Sequence, residues 1–108
     1  MSTCYNAGII NRGRWSVINN NITVNNSLGT ENHGGIELGS VTFSVSSNSS
    51  VMGNVCVDYQ GTPTQDYGIW VQSGVTRANL VGNNLYTNQG TNLYDQGTST
   101  GTAGNLTA

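Results

Sequence analysis

The residues best suited to ligand chemistry are an acid and an aromatic side chain at equivalent positions in two similar segments. Glu37 follows Gly35-Ile36, and Trp70 follows Gly68-Ile69. Successive side chains of a strand point to opposite faces, so Glu37 and Trp70 should point outward and the aliphatic residues beside them inward. An exposed Trp can stack on a sugar ring while a neighbouring carboxylate accepts hydroxyl hydrogen bonds. Alternatively, Trp70 covers the sheet or a contact between subunits.

A second candidate group lies in the turn over residues 58–67. It contains Asp58, Tyr59, Asp66 and Tyr67. Two carboxylates at a suitable separation can act as acid and base in glycoside hydrolysis, and carboxylate oxygens also bind Ca²⁺. Both Asp residues are equally typical of turns. We therefore treat these four as candidate glycan-binding residues, assign no catalytic residue, and predict no metal site or cofactor. Ca²⁺ has no support beyond these carboxylates.

The other reactive side chains form no motif. Cys4 and Cys56 match no metal-binding spacing and are interpreted as free thiols. His33 is the only His, and a lone His without a placed partner is neither a metal site nor part of a nucleophilic site.

The composition excludes several classes of protein. Charged residues make up 7% of the 108 residues, against about 25% in ordinary soluble domains. The formal net charge is −2, and there are only three basic residues, all Arg. Nucleic-acid binding requires a basic footprint and is therefore not expected. No apolar run approaches the roughly 18 residues that span a bilayer, and the first residues show no signal peptide.

A five-residue block recurs three times, at residues 21–25, 54–58 and 84–88. Each copy has Asn, an aliphatic residue, a variable residue, a second β-former, then Asn or Asp. Alternation with period 2 predicts two inward columns of side chains and one outward column between them. The first inward column would be Ile22, Val55 and Leu85, and the second Val24, Val57 and Thr87. The outward column would be Thr23, Cys56 and Tyr86.

The Gly-Ile segments keep a constant distance from this block on one side only. Gly35 follows Asn21 by 14 positions, and Gly68 follows Asn54 by the same number, whereas the connection from each Gly to the next Asn varies in length. A third strand-like segment precedes each Asn block. Its equivalent apolar residues are Ile18, Val51 and Val81. Each repeat thus offers three short strands, which become stable when repeats stack.

The repeated Asn has a structural interpretation. Asn21, Asn54 and Asn84 would form a ladder of side-chain amides that bond the repeats above and below. The residues before them, Asn20, Gly53 and Asn83, are types that accept a positive φ at a sharp corner. The predicted fold is all-β, a right-handed parallel β-helix of about three coils. We assign residues 1–7 to an N-terminal lead-in or cap, 8–97 to the coils and 98–108 to a C-terminal tail or cap.

The repeat resembles that of the pectate-lyase-like superfamily of right-handed parallel β-helices. Residues 68–97 carry the resemblance best, and the sequence NLYDQGTSTGTAGN is similar to the final coil of phage tailspikes and surface proteins. The resemblance implies a structural or binding module of an extracellular or virion-surface assembly that contacts glycans. The alternative is a polysaccharide lyase or glycoside hydrolase, or a fragment of one. The partners expected are copies of the same chain, as in a homotrimer, a larger particle, or a polysaccharide.

Overall fold

A computed structural model describes residues 5–29, 32–39 and 47–107. Over these residues the protein is all-β, with short strands and no helix. The strands are β1 (Ile9–Asn11), β2 (Val17–Asn19), β3 (Ile22–Val24), β4 (Gly34–Leu38), β5 (Ser50–Met52), β6 (Val55–Val57), β7 (Tyr67–Val71), β8 (Asn79–Val81), β9 (Leu93–Asp95) and β10 (Gly101–Ala103). Strands this short cannot bury a face alone and depend on their neighbours.

The strands form three sheets, and every strand pairing is parallel. The first sheet has the order β1-β4-β7-β9, the second β2-β5-β8-β10, and the third pairs β3 with β6. Single parallel bridges from Val55 to Asn84 and from Asn84 to Leu106 continue the third sheet. The all-β, parallel character predicted from the repeat is therefore confirmed.

The Gly-Ile strands align in the first sheet as predicted. Ile36 lies opposite Ile69, and Glu37 lies opposite Trp70. The inward side chains of these two strands are fully buried and belong to the main apolar core. They are Ile36, Leu38, Ile69 and Val71.

The Gly before each Ile allows the first and third sheets to approach each other. A Cβ atom on Gly35 would lie 2.3 Å from Thr23 Oγ1 and 3.0 Å from Cys56 Cβ. A Cβ atom on Gly68 would lie 2.9 Å from Leu85 Cβ. Since real Cβ atoms do not come this close to their neighbours, the close approach requires Gly at these two positions.

In the first two repeats of the third sheet, the predicted directions of the first two strand residues are wrong, whereas Val57 is fully buried as predicted. Thr23 and Cys56 are fully buried, whereas Ile22 is 57% exposed. The cause is the Asn that precedes each strand. The Asn54 side chain is buried at the corner, and alternation then turns the next side chain outward and the following one inward.

The third repeat is displaced by one residue from the predicted register. Val51 lies opposite Leu80, and Val55 is bridged to Asn84, each one residue earlier than predicted. The corner before the third sheet follows the same register. Asn20 and Gly53 have the predicted positive φ, of 56° and 64°, but their counterpart in the third repeat is Gly82 rather than Asn83.

The segment assigned to a C-terminal tail or cap contains β10. Thr102 of this strand lies opposite Leu80, so the second sheet has four strands, as the first sheet does with β9. Cys56 is a buried free thiol, as predicted, and Cys4 lies outside the described residues.

Candidate functional site

The outer face of the first sheet carries one residue from each of its four strands in register. Ile10 lies opposite Glu37, Glu37 opposite Trp70, and Trp70 opposite Tyr94. Neighbouring strands are about 4.8 Å apart, so the side chains of this column touch or nearly touch. The column places Trp70 between an acidic and an aromatic neighbour.

Three aromatic side chains, which we call the aromatic cluster, meet on this face: Tyr67, Trp70 and Tyr94. The rings of Tyr67 and Tyr94 are stacked, with centroids 4.9 Å apart and planes at 19°. The Trp70 ring is tilted against both, at 5.3 Å from Tyr67 and 5.9 Å from Tyr94. The Trp70 indole N–H donates to Gln96 Oε1 at 2.9 Å, which holds the ring in one orientation.

Partial burial in the aromatic cluster raises the pKa of the Tyr67 phenol, and the nearby Asp66 carboxylate raises it further. The phenol is therefore protonated at neutral pH and offers one O–H donor. The cluster thus combines flat apolar ring faces with neutral polar groups at its edges.

We had expected Glu37 to present an open carboxylate beside Trp70, and this expectation is wrong. Its side chain is buried, with the residue only 2% exposed. Glu37 Oε1 accepts the Gly34 backbone N–H at 2.9 Å and lies 2.8 Å from His33 Nδ1. On the outer face of the sheet, the Glu37 side chain is therefore covered, and its carboxylate organises the start of β4.

Asp58 is likewise engaged by the backbone. Its Oδ1 accepts the N–H of Gln60 at 2.9 Å, and its Oδ2 accepts those of Thr64 and Gln65, both at 2.8 Å. The residue is buried, so its carboxylate closes the turn over residues 58–65. Tyr59 beside it is largely exposed.

Asp66 and Tyr67 are the two turn residues that the structure brings to the first sheet. The Asp66 backbone N–H donates to His33 O at 3.0 Å, and its carbonyl accepts from Gly90 N at 2.8 Å. Partial burial raises the pKa of the Asp66 carboxyl, and the hydrogen bond from the backbone to it acts in the opposite direction. Of the six candidates, Tyr67 and Trp70 are in ring contact, with Asp66 directly before them in the chain.

The side-chain amide ladder runs through Asn21, Asn54, Asn83 and Asn105. Successive Nδ2-to-Oδ1 distances are 3.1, 3.0 and 2.8 Å. We had expected Asn84 in the third position. The Asn84 side chain instead has a buried Oδ1 without a hydrogen-bond partner, because Asn83 is the residue that reaches the corner in this repeat.

A second amide ladder, which the sequence analysis missed, runs through Asn26, Gln65, Asn88 and Asn92. The Nδ2 of Asn26 donates to Gln65 Oε1 at 2.9 Å, and Gln65 Nε2 donates to Asn88 Oδ1 at 2.6 Å. The Nδ2 of Asn88 donates to Asn92 Oδ1 at 3.0 Å. Its members follow no constant spacing in the chain, so no repeat signal marks it.

Tyr94 was also missed, although a signal for it exists. Tyr94 follows Leu93 as Trp70 follows Ile69, and Leu93 lies opposite Ile69 in the first sheet. The pattern of an inward aliphatic residue and an outward aromatic one therefore recurs in the fourth strand.

Comparison with protein-family models, curated proteins and solved structures gives no match to this chain. Within the described ranges, no three His, Cys, Asp or Glu side chains are grouped as a metal site would require. In the same part of the chain, we find no helix of the length and apolar character that membrane crossing by a helix requires.

Proposed function

We propose that the chain is a right-handed parallel β-helix with the coil architecture of the pectate-lyase-like superfamily. Support comes from the order of the strands, since β1, β2 and β3 enter three different sheets and β4, β5 and β6 return to them in the same order. Connections between parallel strands of one sheet are right-handed in nearly all proteins. The two amide ladders supply the corner hydrogen bonds that stacked coils need.

We further propose that this β-helix is a structural and glycan-binding module of an extracellular or virion-surface assembly. The observation that carries the proposal is the aromatic cluster. Three rings in mutual contact on the outer face of a sheet, with Trp70 oriented by Gln96, offer a rigid surface for the apolar faces of sugar rings. Rigid aromatic side chains provide contact area at a low entropic cost.

The charges around the aromatic cluster favour a neutral glycan. Glu37 lies opposite Trp70, Asp66 precedes Tyr67, and Asp95 follows Tyr94. A polysaccharide with carboxylate or sulfate groups would be repelled by these acidic residues. We therefore expect neutral hexose polymers to bind this face better than anionic ones.

The arrangement of the carboxylates favours a glycan-binding role over glycoside hydrolysis, because most of them are occupied by hydrogen bonds. Glu37 and Asp58 accept backbone N–H groups, and Asp95 Oδ1 accepts from Gly97 N and Thr100 Oγ1. Hydrolysis by the usual mechanism needs two available carboxyl groups on opposite sides of the bond. Among the described residues, Asp66 is the remaining carboxylate near the aromatic cluster, and it too accepts a backbone hydrogen bond.

Assembly with other chains is supported by exposed apolar side chains in the first repeat. They are Tyr5, Ile10, Val17, Ile22 and Leu28. In each sheet the strand of this repeat lies at one end of the strand order. Such edges pair readily with further strands, as in a homotrimer or larger particle.

The test is a binding panel of neutral and anionic polysaccharides with the intact chain, measured by affinity electrophoresis. We expect Trp70→Ala to weaken binding of the neutral ligand about tenfold, the loss of roughly 1.4 kcal/mol of stacking. Tyr59→Ala is the matched control, because Tyr59 is exposed but outside the aromatic cluster, and it should leave the affinity unchanged. Equal binding by the Trp70→Ala protein would contradict the proposal.

A second measurement separates binding from catalysis. The same polysaccharides are incubated with the chain while reducing and unsaturated ends are followed. We expect no cleavage. Cleavage that disappears in Asp66→Asn would instead establish the lyase or hydrolase alternative.

A further inference from the structure

The side-chain amide ladder has a direction, which makes the two ends of the strand stack different. The sheets begin with β1, β2 and β3 of the first repeat and end with β9, β10 and the bridge to Leu106. The ladder runs the same way. At each step, the Asn of one repeat donates both its backbone N–H and its side-chain amide to Oδ1 of the Asn in the next repeat. These residues are Asn21, Asn54, Asn83 and Asn105.

This direction leaves an acceptor at one end of the ladder and donors at the other. The ladder begins with Asn21, whose N–H groups are used, while no described residue donates to its Oδ1. At the other end, the backbone N–H of Asn105 has no acceptor among the described residues. One hydrogen of Asn105 Nδ2 is donated to Leu80 O at 2.9 Å, and the second is available. The two ends therefore hold the groups that form each internal step.

The backbone at this corner continues the same pattern. In each repeat the left-handed corner residue donates its N–H to the following repeat, over 2.9 to 3.1 Å. These donors are Asn20, Gly53 and Gly82. Gly104, with a φ of 63°, is the next corner residue in the series. The carbonyl of Asn19 holds the equivalent acceptor position in the first repeat. Gly104 N–H and Asn19 O are therefore a second complementary pair at opposite ends of the stack.

The apolar core is partly open at both ends. The inward column of the first sheet is fully buried in its two middle members, whereas its end members, Ile9 and Leu93, are only partly buried. A concavity of about 240 Å³ at the last strands is lined by residues that include Leu93, Thr102 and Asn105. A further coil placed on either end would bury the remaining apolar surface, as stacking does between repeats.

We propose that copies of this chain stack head to tail, with the first repeat of one copy resting on the last strands of another. Asn105 of one copy then donates to Asn21 Oδ1 of the other, and Leu93 packs against Ile9. The ladder and the three sheets continue across the contact. The inference rests on the coil architecture and the assembly role proposed above, and it names the partner and the surface. Since the contact joins two different ends, it produces an open series rather than a closed dimer or trimer.

Two other arrangements satisfy fewer of these groups. A twofold contact between identical ends would place Asn21 Oδ1 opposite another acceptor. It would also pair the edge strands antiparallel, whereas every strand pairing within the chain is parallel. A side-by-side trimer would leave the groups at both ends facing solvent. Stacking head to tail is the arrangement that repeats the hydrogen bonds already present inside the molecule.

The experiment measures self-association of the intact chain by sedimentation velocity over a range of concentrations. Thr102 is exposed and lies opposite the buried Leu80, so Thr102→Lys adds an inward-pointing charge at one end, a feature that blocks strand edges. We expect native species to grow steadily with concentration, and Thr102→Lys to weaken association at least about a hundredfold. At a concentration where both are monomers, their thermal midpoints should agree. Thr62→Lys is the matched control, since it alters an exposed Thr of a turn, and it should associate like the native chain.

Mixing the proteins tests the direction of the contact. Thr102→Lys keeps an intact first repeat, so it should add to the open end of a native stack and stop growth there. A small fraction of this variant should therefore shorten the native series. Asn21→Ala, at the opposite end, removes the acceptor oxygen and should weaken association about tenfold.

The outcomes separate this inference from the proposed function. A native series that Thr102→Lys does not shorten would overturn the head-to-tail direction, and unchanged association in Asn21→Ala would overturn the continued ladder. A fixed trimer that Thr102→Lys leaves intact would overturn stacking while supporting the assembly role. A native chain that stays monomeric at high concentration would overturn both and assign the two ends to a different occupant. Glycan binding by the aromatic cluster is tested separately by Trp70→Ala.

Discussion

The side-chain amide of Asn54 donates to Asn83 Oδ1 at 3.0 Å, and the backbone N–H of Asn54 donates to the same atom at 3.0 Å. At each step of the ladder, one side-chain amide oxygen therefore accepts two hydrogen bonds, from the backbone N–H and the side-chain amide of the Asn in the preceding repeat. The Asn83 amide nitrogen in turn donates to Val51 O at 3.0 Å and to Asn105 Oδ1 at 2.8 Å. Asn83 thus couples three successive repeats at one buried corner.

This coupling predicts different effects for two neighbouring substitutions. Asn83→Ala should lower the free energy of unfolding by about 2–4 kcal/mol, because it removes several hydrogen bonds and leaves buried partners unsatisfied. Asn84→Ala is the matched control and should cost less than about 1 kcal/mol, since Asn84 Oδ1 is buried without a partner. Urea denaturation of both variants checks the pair. A larger loss of stability in Asn84→Ala than in Asn83→Ala would contradict this prediction and would favour the ladder through Asn84 that the sequence predicted.

The approach of the first and third sheets gives a prediction about glycine. Gly35→Ala should destabilise the protein by about 1–3 kcal/mol, because the new methyl group would overlap Thr23 Oγ1 where the first and third sheets meet. Gly61→Ala adds the same methyl group where no atom lies within 4 Å and should change stability by less than about 0.5 kcal/mol. Thermal unfolding measures both. The double variant Gly35→Ala/Thr23→Ala should recover part of the loss.

The sequence predicted the parallel β fold and the first sheet because those features depend on apolar residues that recur at constant positions. The register of Ile36 with Ile69 follows directly from the Gly-Ile pattern. The third sheet was mispredicted because Ile22 is more apolar than Thr23, yet Thr23 is the buried residue. The Asn side chain points into the corner, and this reverses the directions of the side chains that follow it. The hydrophobicity pattern does not show which way the Asn side chain points.

The candidate site was predicted only in part, for a related reason. Trp70 and Tyr67 were identified from residue type and position, and they meet in the aromatic cluster. The buried roles of Glu37 and Asp58 could not be predicted, because they depend on backbone N–H groups brought close by turns. Carboxylates in turns look the same in sequence whether they face a ligand or the backbone.

Burial of Cys56 predicts a pH dependence of stability. Burial raises the pKa of the Cys56 thiol from 9.0 to about 12, and the neighbouring Thr23 side chain lowers it by a smaller amount. The folded state thus binds the thiol proton more tightly than the unfolded state does. The resulting contribution to stability is fully present below pH 9 and is lost as the pH rises from 9 towards 12.

The measurement compares the native chain with Cys56→Ala across that range. The difference between their free energies of unfolding should shrink above pH 9 by up to about 1.4 kcal/mol per pH unit. In a Cys4→Ser background, Cys56 should react with iodoacetamide at pH 8 only after denaturant is added, since the thiolate is the reactive form. Rapid labelling of the native protein would show that the thiol is accessible and would contradict both expectations.

The turn over residues 58–65 provides the last prediction, which separates a structural carboxylate from a catalytic one. Asp58 accepts three backbone N–H groups, and hydrogen bonds to a charged acceptor contribute about 1.5–3 kcal/mol each. Asp58→Asn keeps the size but replaces one acceptor oxygen with a donor that faces backbone N–H groups. We expect it to destabilise the protein by at least about 2 kcal/mol and to expose the turn to proteolysis.

Asp66→Asn is the control for this prediction. Its carboxyl is only partly buried, and burial raises its pKa, so removal of the charge should leave stability equal or slightly higher. A stable Asp58→Asn protein with an intact turn would show that this carboxylate is free to serve a ligand.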